Sequence, residues 1–286
     1  MSTKARTAGW AGLAGLALLL ATTSLGAAPK APSSLRLYIF DCGVIKGLGV
    51  DLFGFKAGEV PARDFFVPCY LVVHPKGTMM WDVGVIPDSA FKTDGAPATD
   101  GRSTVNKPLL PQLAALGYTP ADITYLAMSH YHSDHTANAN AFAGSTWLVR
   151  LPERDMMFNP PAGAIVQTTS FASLKTAKTR ILNDDEYDVF GDGTVVIKSA
   201  PGHTPGHQVL FLKLNKFGPL VVAGDLYHYP EEKTMNRFPS FEFSKEQSAK
   251  SRAEIDAFLK AKKAQMWIEH DAATNATLKK APEYYE

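Results

Sequence analysis

Ser129-His130-Tyr131-His132-Ser133-Asp134-His135 places three imidazoles and a carboxylate within six residues. The apolar run before it, residues 123–128, lacks alternation and reads as a short strand buried on both faces. The cluster therefore opens the turn that follows a buried strand. Neutral imidazoles and carboxylates are the usual ligands of Zn²⁺. Along an extended turn His130 and His132 point the same way, while Asp134 and His135 can swing toward a second centre. The stretch predicts a metal site.

Working outward, further donors follow apolar segments in the same manner. Gly202-His203-Thr204-Pro205-Gly206-His207 comes after a strand at 195–198, Gly224-Asp225 after one at 220–222, and Glu269-His270-Asp271 after one at 265–268. His74 and His207, each taken alone, read as ordinary satisfied histidines. The remaining strands are expected at 35–40, 69–73, 78–81, 146–149 and 209–214, and a helix at 109–116. Ser244-Lys245-Glu246-Gln247 has capping-box spacing and opens the best helix, with Ile255, Phe258 and Leu259 on one face. From about 153 to 178 the chain reads as an irregular excursion containing Met156-Met157-Phe158. Strands interleaved with helices, and no Pro/Ser-rich linker, predict one α/β domain over residues 29–286.

The order of these motifs resembles the metallo-β-lactamase-fold hydrolases. His130-Tyr131-His132-Ser133-Asp134-His135 matches their HxHxDH motif, and Trp81-Asp82-Val83-Gly84 resembles the strand-end Asp-x-Gly that supports the site from behind. Within that group the chain looks most like the N-acyl homoserine lactonases. Pro68-Cys69-Tyr70-Leu71, Leu116-Gly117-Tyr118-Thr119-Pro120 and Ala281-Pro282-Glu283-Tyr284-Tyr285 carry this closer likeness. The resemblance implies a four-layer αβ/βα sandwich with two Zn²⁺ at one edge. It implies that His130, His132 and His203 hold one ion, that Asp134, His135 and His270 hold the other, and that Asp225 bridges them. Cys42 and Cys69 lie outside every metal-ligand motif, so the cysteine-ligated type is excluded.

The resemblance further implies ring opening of a lactone by a metal-bridging hydroxide, with a proton for the leaving alkoxide coming from the Asp134 or Asp225 neighbourhood. Two departures stand out. The lactonases place a Tyr three residues after the bridging Asp, where it meets the substrate carbonyl; here that position is His228, flanked by Tyr227 and Tyr229. Either Tyr227 or His228 can take the role. The metal motif also continues Thr136-Ala137-Asn138, where glycines are common. Leu52-Phe53-Gly54-Phe55 and Met156-Met157-Phe158 are candidate pocket walls, and the former suits a homodimer contact equally. A β-lactamase or broad esterase/phosphotriesterase is the alternative on the same fold. A scaffold that has lost its chemistry is disfavoured by the complete ligand set.

Composition agrees with a globular chain acting on small molecules. Of 286 residues, 45% are hydrophobic, and 29 basic against 28 acidic residues leave a net charge of +1 and no stripe to hold a nucleic-acid backbone. Residues 1–28 read as a secretory signal peptide: Lys4 and Arg6, an apolar run from about Ala8 to Ala21, then Gly26 and Ala28 at the spacing a signal peptidase reads. That run is shorter than the ~20 residues a membrane span needs. The expected protein is periplasmic or secreted, without a stable membrane anchor. In that setting Cys42 and Cys69 could pair, but the reading adopted is two buried free thiols near the ends of two strands.

Overall fold

Strand β1 (Arg36–Ile45) buries both of its faces, with Leu37 and Ile39 pointing one way and Tyr38 and Phe40 the other. The period of two in the sequence thus serves two cores at once. The computed structural model, which describes residues 1–2, 31–164 and 166–286, places β1 in an eight-stranded sheet. All but the first two residues of the expected signal peptide lie outside the described residues. The other strands of this sheet are β2 (Phe65–His74), β3 (Gly77–Trp81), β4 (Ala98–Thr99), β5 (Ser103–Val105), β6 (Tyr125–Ala127), β7 (Thr146–Val149) and β8 (Thr179–Ile181). Their order is β4-β5-β1-β2-β3-β6-β7-β8. A second sheet is ordered β13-β12-β11-β10-β9, from β9 (Glu186–Asp188), β10 (Val195–Ser199), β11 (Gln208–Leu214), β12 (Gly218–Val222) and β13 (Gln265–Trp267).

The two sheets face each other through Leu37, Ile39, Val72, Met79 and Trp81 on one side and Ile197, Leu210, Leu212, Val222 and Trp267 on the other. Helix α1 (Leu109–Ala115) contributes Leu109 and Leu113 to the outer face of the larger sheet. Below, α2 denotes Ser133–Thr136, α3 Leu151–Phe158 and α4 Pro230–Met235. Helix α5 (Lys245–Lys262) covers the outer face of the smaller sheet with Ile255 and Phe258 against Val196, Phe211 and Val221. The Ser244 hydroxyl caps α5 by accepting from Gln247 N at 3.3 Å. A last short helix, α6, spans Ala272–Thr277. Helices, sheet, sheet, helices: these are the four layers expected.

The parallel pairs β3–β6–β7 and β12–β13 set the position of the site, because their carboxyl ends open at one edge of the sandwich. Asp82 follows β3, His130 follows β6, Asp225 follows β12 and His270 follows β13. The loop from β10 to β11 brings His203 to the same edge.

Two expectations are corrected. Met156-Met157-Phe158 is not a pocket wall: these residues close α3, Met157 is buried in the core, and the Phe158 ring packs 6.1 Å from Trp147 and 5.7 Å from Phe171. The start of the stretch from 153 to 178, expected to be irregular, is thus helical, and Pro152 lies in the first turn of α3, where a helix tolerates proline. The cysteines are not free thiols either. Cys42 and Cys69 form a disulfide with Cα atoms 5.8 Å apart. A bulge in β1 between Asp41 and Val44 swings Cys42 over β2, and alternation alone did not foretell it.

The disulfide closes a loop of 27 residues. On the chain-entropy relation such a crosslink stabilises by about 3.5 kcal/mol. A Cys42→Ser/Cys69→Ser variant is therefore expected to unfold at clearly lower urea than the oxidised wild type. Coincident unfolding curves for the two, measured without reductant, would contradict a stabilising crosslink.

Candidate metal centre

His130, His132, His203 and Asp225 offer one donor each to a first cluster, and Asp134, His135, His270 and Asp225 to a second. In the first, His132 Nδ1 lies 2.8 Å from His130 Nε2 and 3.0 Å from His203 Nε2. Asp225 Oδ2 is 3.6 Å from His130 Nε2 and 3.4 Å from His203 Nε2. In the second, Asp225 Oδ1 is 3.2 Å from His135 Nε2 and 3.0 Å from His270 Nε2, and Asp134 Oδ2 is 3.6 Å and 3.4 Å from the same two nitrogens. The two oxygens of Asp225 thus face one cluster each. All seven residues expected as ligands meet here.

The donor set fits two divalent cations. Ligands about 2.0–2.2 Å from a tetrahedral ion stand roughly 3.3–3.6 Å from one another, close to the separations found. His135 Nε2 and Asp225 Oδ1 are buried and make no hydrogen bond despite their proximity. They aim at a common point rather than at each other. Burial opposes charge on Asp225, but the His270 and His135 imidazoles outweigh it and hold its carboxyl well below the usual range. Burial and the neighbouring imidazoles push His130 well below its ordinary value and His132 down to about 3, leaving both neutral and ready to ligate. His135 goes the other way: burial opposes its charge, and Asp225, Asp134 and Asp82 more than compensate. The cluster draws positive charge.

Surrounding groups aim the ligands. His135 Nδ1 meets Asp82 Oδ2 at 3.0 Å, and Asp82 Oδ1 accepts from Ser129 N at 2.7 Å. Asp82 adopts φ 52°, a left-handed conformation that turns its carboxylate under the metal loop. His270 Nδ1 lies 2.9 Å from Phe66 O. Glu153, from α3, accepts from Tyr131 N at 2.7 Å, Gly206 N at 2.8 Å and the Thr204 hydroxyl, tying together the two loops that carry His130, His132 and His203. Burial raises the Glu153 carboxyl to about 7 against those hydrogen bonds. His207 is a satisfied histidine: Nε2 accepts from Asp225 N at 3.0 Å and Nδ1 lies 3.0 Å from Ala200 O. His74 is paired with Asp192 at 3.0 Å. Asn138, in place of a glycine, donates to Val83 O and accepts from Asp88 N.

A cavity of about 280 Å³ opens over the cluster, lined by His132, Asp134, Asp225, His228 and His270 below and by Phe53, Phe65, Val85 and Phe241 on its walls. His228 Nε2 lies 3.0 Å from Asp225 Oδ2, and Nδ1 lies 3.4 Å from Glu232 Oε1. Burial disfavours its charge, but those two carboxylates hold its pKa up at about 10. The structure does not bring Tyr227 to this cavity. Its ring packs with Ile255 and Phe258, under the Arg252 guanidinium at 4.3 Å, and burial pushes its hydroxyl to about 12. Of the lead residues named for the pocket, Phe53 lines it, whereas Phe55 packs against Tyr229. Glu153, Glu232, Glu242 and Glu269 all support the site, and of these Glu269 alone stood in a motif, beside His270. Only the capping-box spacing after Ser244 hinted that the segment near Glu242 is anchored.

Fold and donor set together define the class: the chain belongs to the metallo-beta-lactamase superfamily, whose profile matches residues 62–264. Within that class it is similar to the N-acyl homoserine lactonase AttM of Rhizobium radiobacter, 31% identical over 264 residues, covering 88% of this chain and 99% of the relative. An N-acyl homoserine lactone hydrolase with the product N-hexanoyl-L-homoserine at its catalytic metal centre superposes with a TM-score of 0.71 at 23% identity, covering 87% of this chain and 98% of that one. AidC, a dizinc quorum-quenching lactonase, gives a TM-score of 0.66 at 21% identity, covering 88% and 94%.

Metal-replete protein is expected to hold two divalent ions per chain, and their removal by chelator to lower the melting temperature, since the ions bind only the folded state. At most one tightly held ion would contradict the double site. The ions must displace the protons that the raised His135 attracts. Affinity should therefore weaken as pH falls from 8 to 6, and equal affinity at both would contradict this sign.

Proposed function

We propose that this protein opens the lactone ring of N-acyl homoserine lactones, a quorum-quenching reaction, with two zinc ions. The observation that carries the reading is the cavity itself: a donor cluster for two ions at its floor, and walls that are aromatic and aliphatic apart from the polar stretch of Asp100, Arg102 and Ser103. Such a site suits a small ester bearing an apolar chain. The similarity to AttM supports the same substrate class. The chemistry that two bound divalent ions supply is polarisation of a carbonyl and a water acidic enough to serve as hydroxide near neutral pH.

The residues divide the remaining work. His228 stands in the cavity with its ring fixed from behind, because Glu232 Oε1 accepts from His228 N at 3.1 Å and Tyr229 N at 3.2 Å while Arg252 Nη2 holds the other oxygen at 2.6 Å. A ring so held donates from Nε2 to the carbonyl oxygen as charge develops on it. Asp134 is the more open of the two carboxylates, with a side chain 17% exposed against 5% for Asp225. It takes up the proton of the attacking water and returns it to the leaving alkoxide. Phe53 and Phe65 exclude water from one wall.

The leader-like residues 1–28 and the Cys42–Cys69 disulfide both support a periplasmic or secreted protein, since such bonds persist in oxidising compartments.

The test is a panel of N-hexanoyl homoserine lactone, a β-lactam and an organophosphate triester, each with and without chelator. Chelator-sensitive opening of the lactone, faster than turnover of the other two, is expected; its absence from metal-replete protein overturns the proposal. His228→Ala should lower kcat by roughly 10²-fold with metal content unchanged, the scale of losing one oxyanion donor. Tyr227→Phe should stay within about twofold of wild type, because its hydroxyl is remote from the cavity. The reverse pattern would assign the carbonyl contact to Tyr227.

A further inference from the structure

The segment from Phe241 to Ser248 clasps His203. Phe243 N donates to His203 O at 3.2 Å and Ser244 N to Gly202 O at 2.8 Å. The Glu242 side chain is buried, with Oε1 3.6 Å from His203 Nδ1 and its other oxygen accepting from the Ser248 hydroxyl. Gly202 has φ +142°, and a Cβ there would come within 2.2 Å of Ser248 N, so the clasp leaves no room for a side chain at 202. Ser240 N donates to Leu52 O at 2.7 Å, pinning the other end of the segment.

These contacts fix Phe241. Its ring lies 5.7 Å from those of Phe53 and His203 and 5.8 Å from that of His228, and it lines the cavity. The other aromatic walls, Phe53 and Phe65, are 1% and 3% exposed, whereas Phe241 is 44% exposed. It is where the apolar wall meets water. Nearby in the chain Phe243 is 55% exposed, and Leu52, whose carbonyl Ser240 N bonds, is 37% exposed. An apolar edge held in place by Phe53, His203 and His228, yet left uncovered, is matched by a substrate with an apolar chain extending from the cavity.

We propose that Phe241 is the residue that sets acyl-chain preference, and that Glu242 is the positioning residue that holds it over the metal cluster by bracing His203. This rests on the lactonase reading and adds a substrate class to it: homoserine lactones whose acyl chain is long enough to leave the cavity and lie against Phe241. Each methylene buried there raises kcat/KM by up to about fourfold.

The experiment compares kcat/KM for N-butanoyl and N-decanoyl homoserine lactone in the metal-replete wild type and in Phe241→Ala, Phe241→Leu and Glu242→Ala. The wild type is expected to prefer the decanoyl substrate. Phe241→Ala should cut the decanoyl-to-butanoyl ratio at least tenfold, mainly through KM, and Phe241→Leu should restore most of it. Glu242→Ala should lower the same ratio as well as kcat on both substrates. A second readout uses binding alone: in Phe241→Trp, N-decanoyl homoserine should shift the tryptophan emission to the blue more than N-butanoyl homoserine does, relative to a Phe241 background. An unchanged ratio in Phe241→Ala, with both lactones opened by the wild type, overturns this inference and leaves the lactonase reading standing. A wild type that opens neither lactone overturns both.

Discussion

Everything at the reactive edge depends on one carboxylate. Asp225 presents Oδ1 to one group of donors and Oδ2 to the other, and it approaches four of the cluster's histidines within 3.6 Å. A charge so deeply buried is costly unless compensated. The compensation comes from imidazoles contributed by both halves of the sandwich, so the position of Asp225 controls how the two sheets meet. Its backbone is fixed in turn by His207, the one motif histidine that points a lone pair at an amide instead of at the cluster. A residue that looked dispensable in the sequence thus anchors the bridging one.

Around this carboxylate the protein arranges acids as supports more than as ligands. Asp82, Glu153, Glu232 and Glu242 each address a histidine or a loop that bears one, and none of the four lines the cavity itself. Glu269 is the most extreme case. It is fully enclosed, takes a hydrogen bond from Trp81 Nε1 at 3.2 Å, and is pushed well above its ordinary pKa by burial and by the proximity of Asp82. A neutral Glu269 carboxyl adds no further negative charge beside the Asp82–His135 contact.

The ligands were legible because the chemistry is contiguous: four donors in six residues, each later donor directly after an apolar run. The strands were legible because alternation survives wherever a sheet has two distinct cores, as in Val195 and Ile197 against Val196. What escaped were features set by tertiary contact. The pairing of Cys42 with Cys69 needed a bulge. The strands β8 and β9 are three residues each and polar at a sheet edge, too short for any period to show. Helix α3 escaped because, after Leu151, its apolar residues, Met156, Met157 and Phe158, fall in its last turn alone and show no helical period. Glu232 acquires its role only when Arg252, on a different helix, reaches it, and Glu242 only when α5 docks beside His203. For positions 227 and 228 the sequence left two candidates. Backbone geometry separates them, since one side chain faces the cavity and the next faces α5.

The spacing of the ligands along the chain bears on how the molecule comes to be folded. His132 and His203, which meet at 3.0 Å, are 71 residues apart in sequence, and the second cluster needs His270 as well. Loops of that length are slow to close, and their closure gains nothing until the surfaces they join have packed. A nascent chain that has emerged only as far as β11 carries four of the seven donors from its first half and His203, but lacks the carboxylate that spans the two groups. Divalent ions encountered at that stage find a partial, mobile set of imidazoles. Capture of both ions in the native arrangement therefore reports that the two sheets have already docked, and the centre serves the chain as a late staple across its halves as well as a place for chemistry.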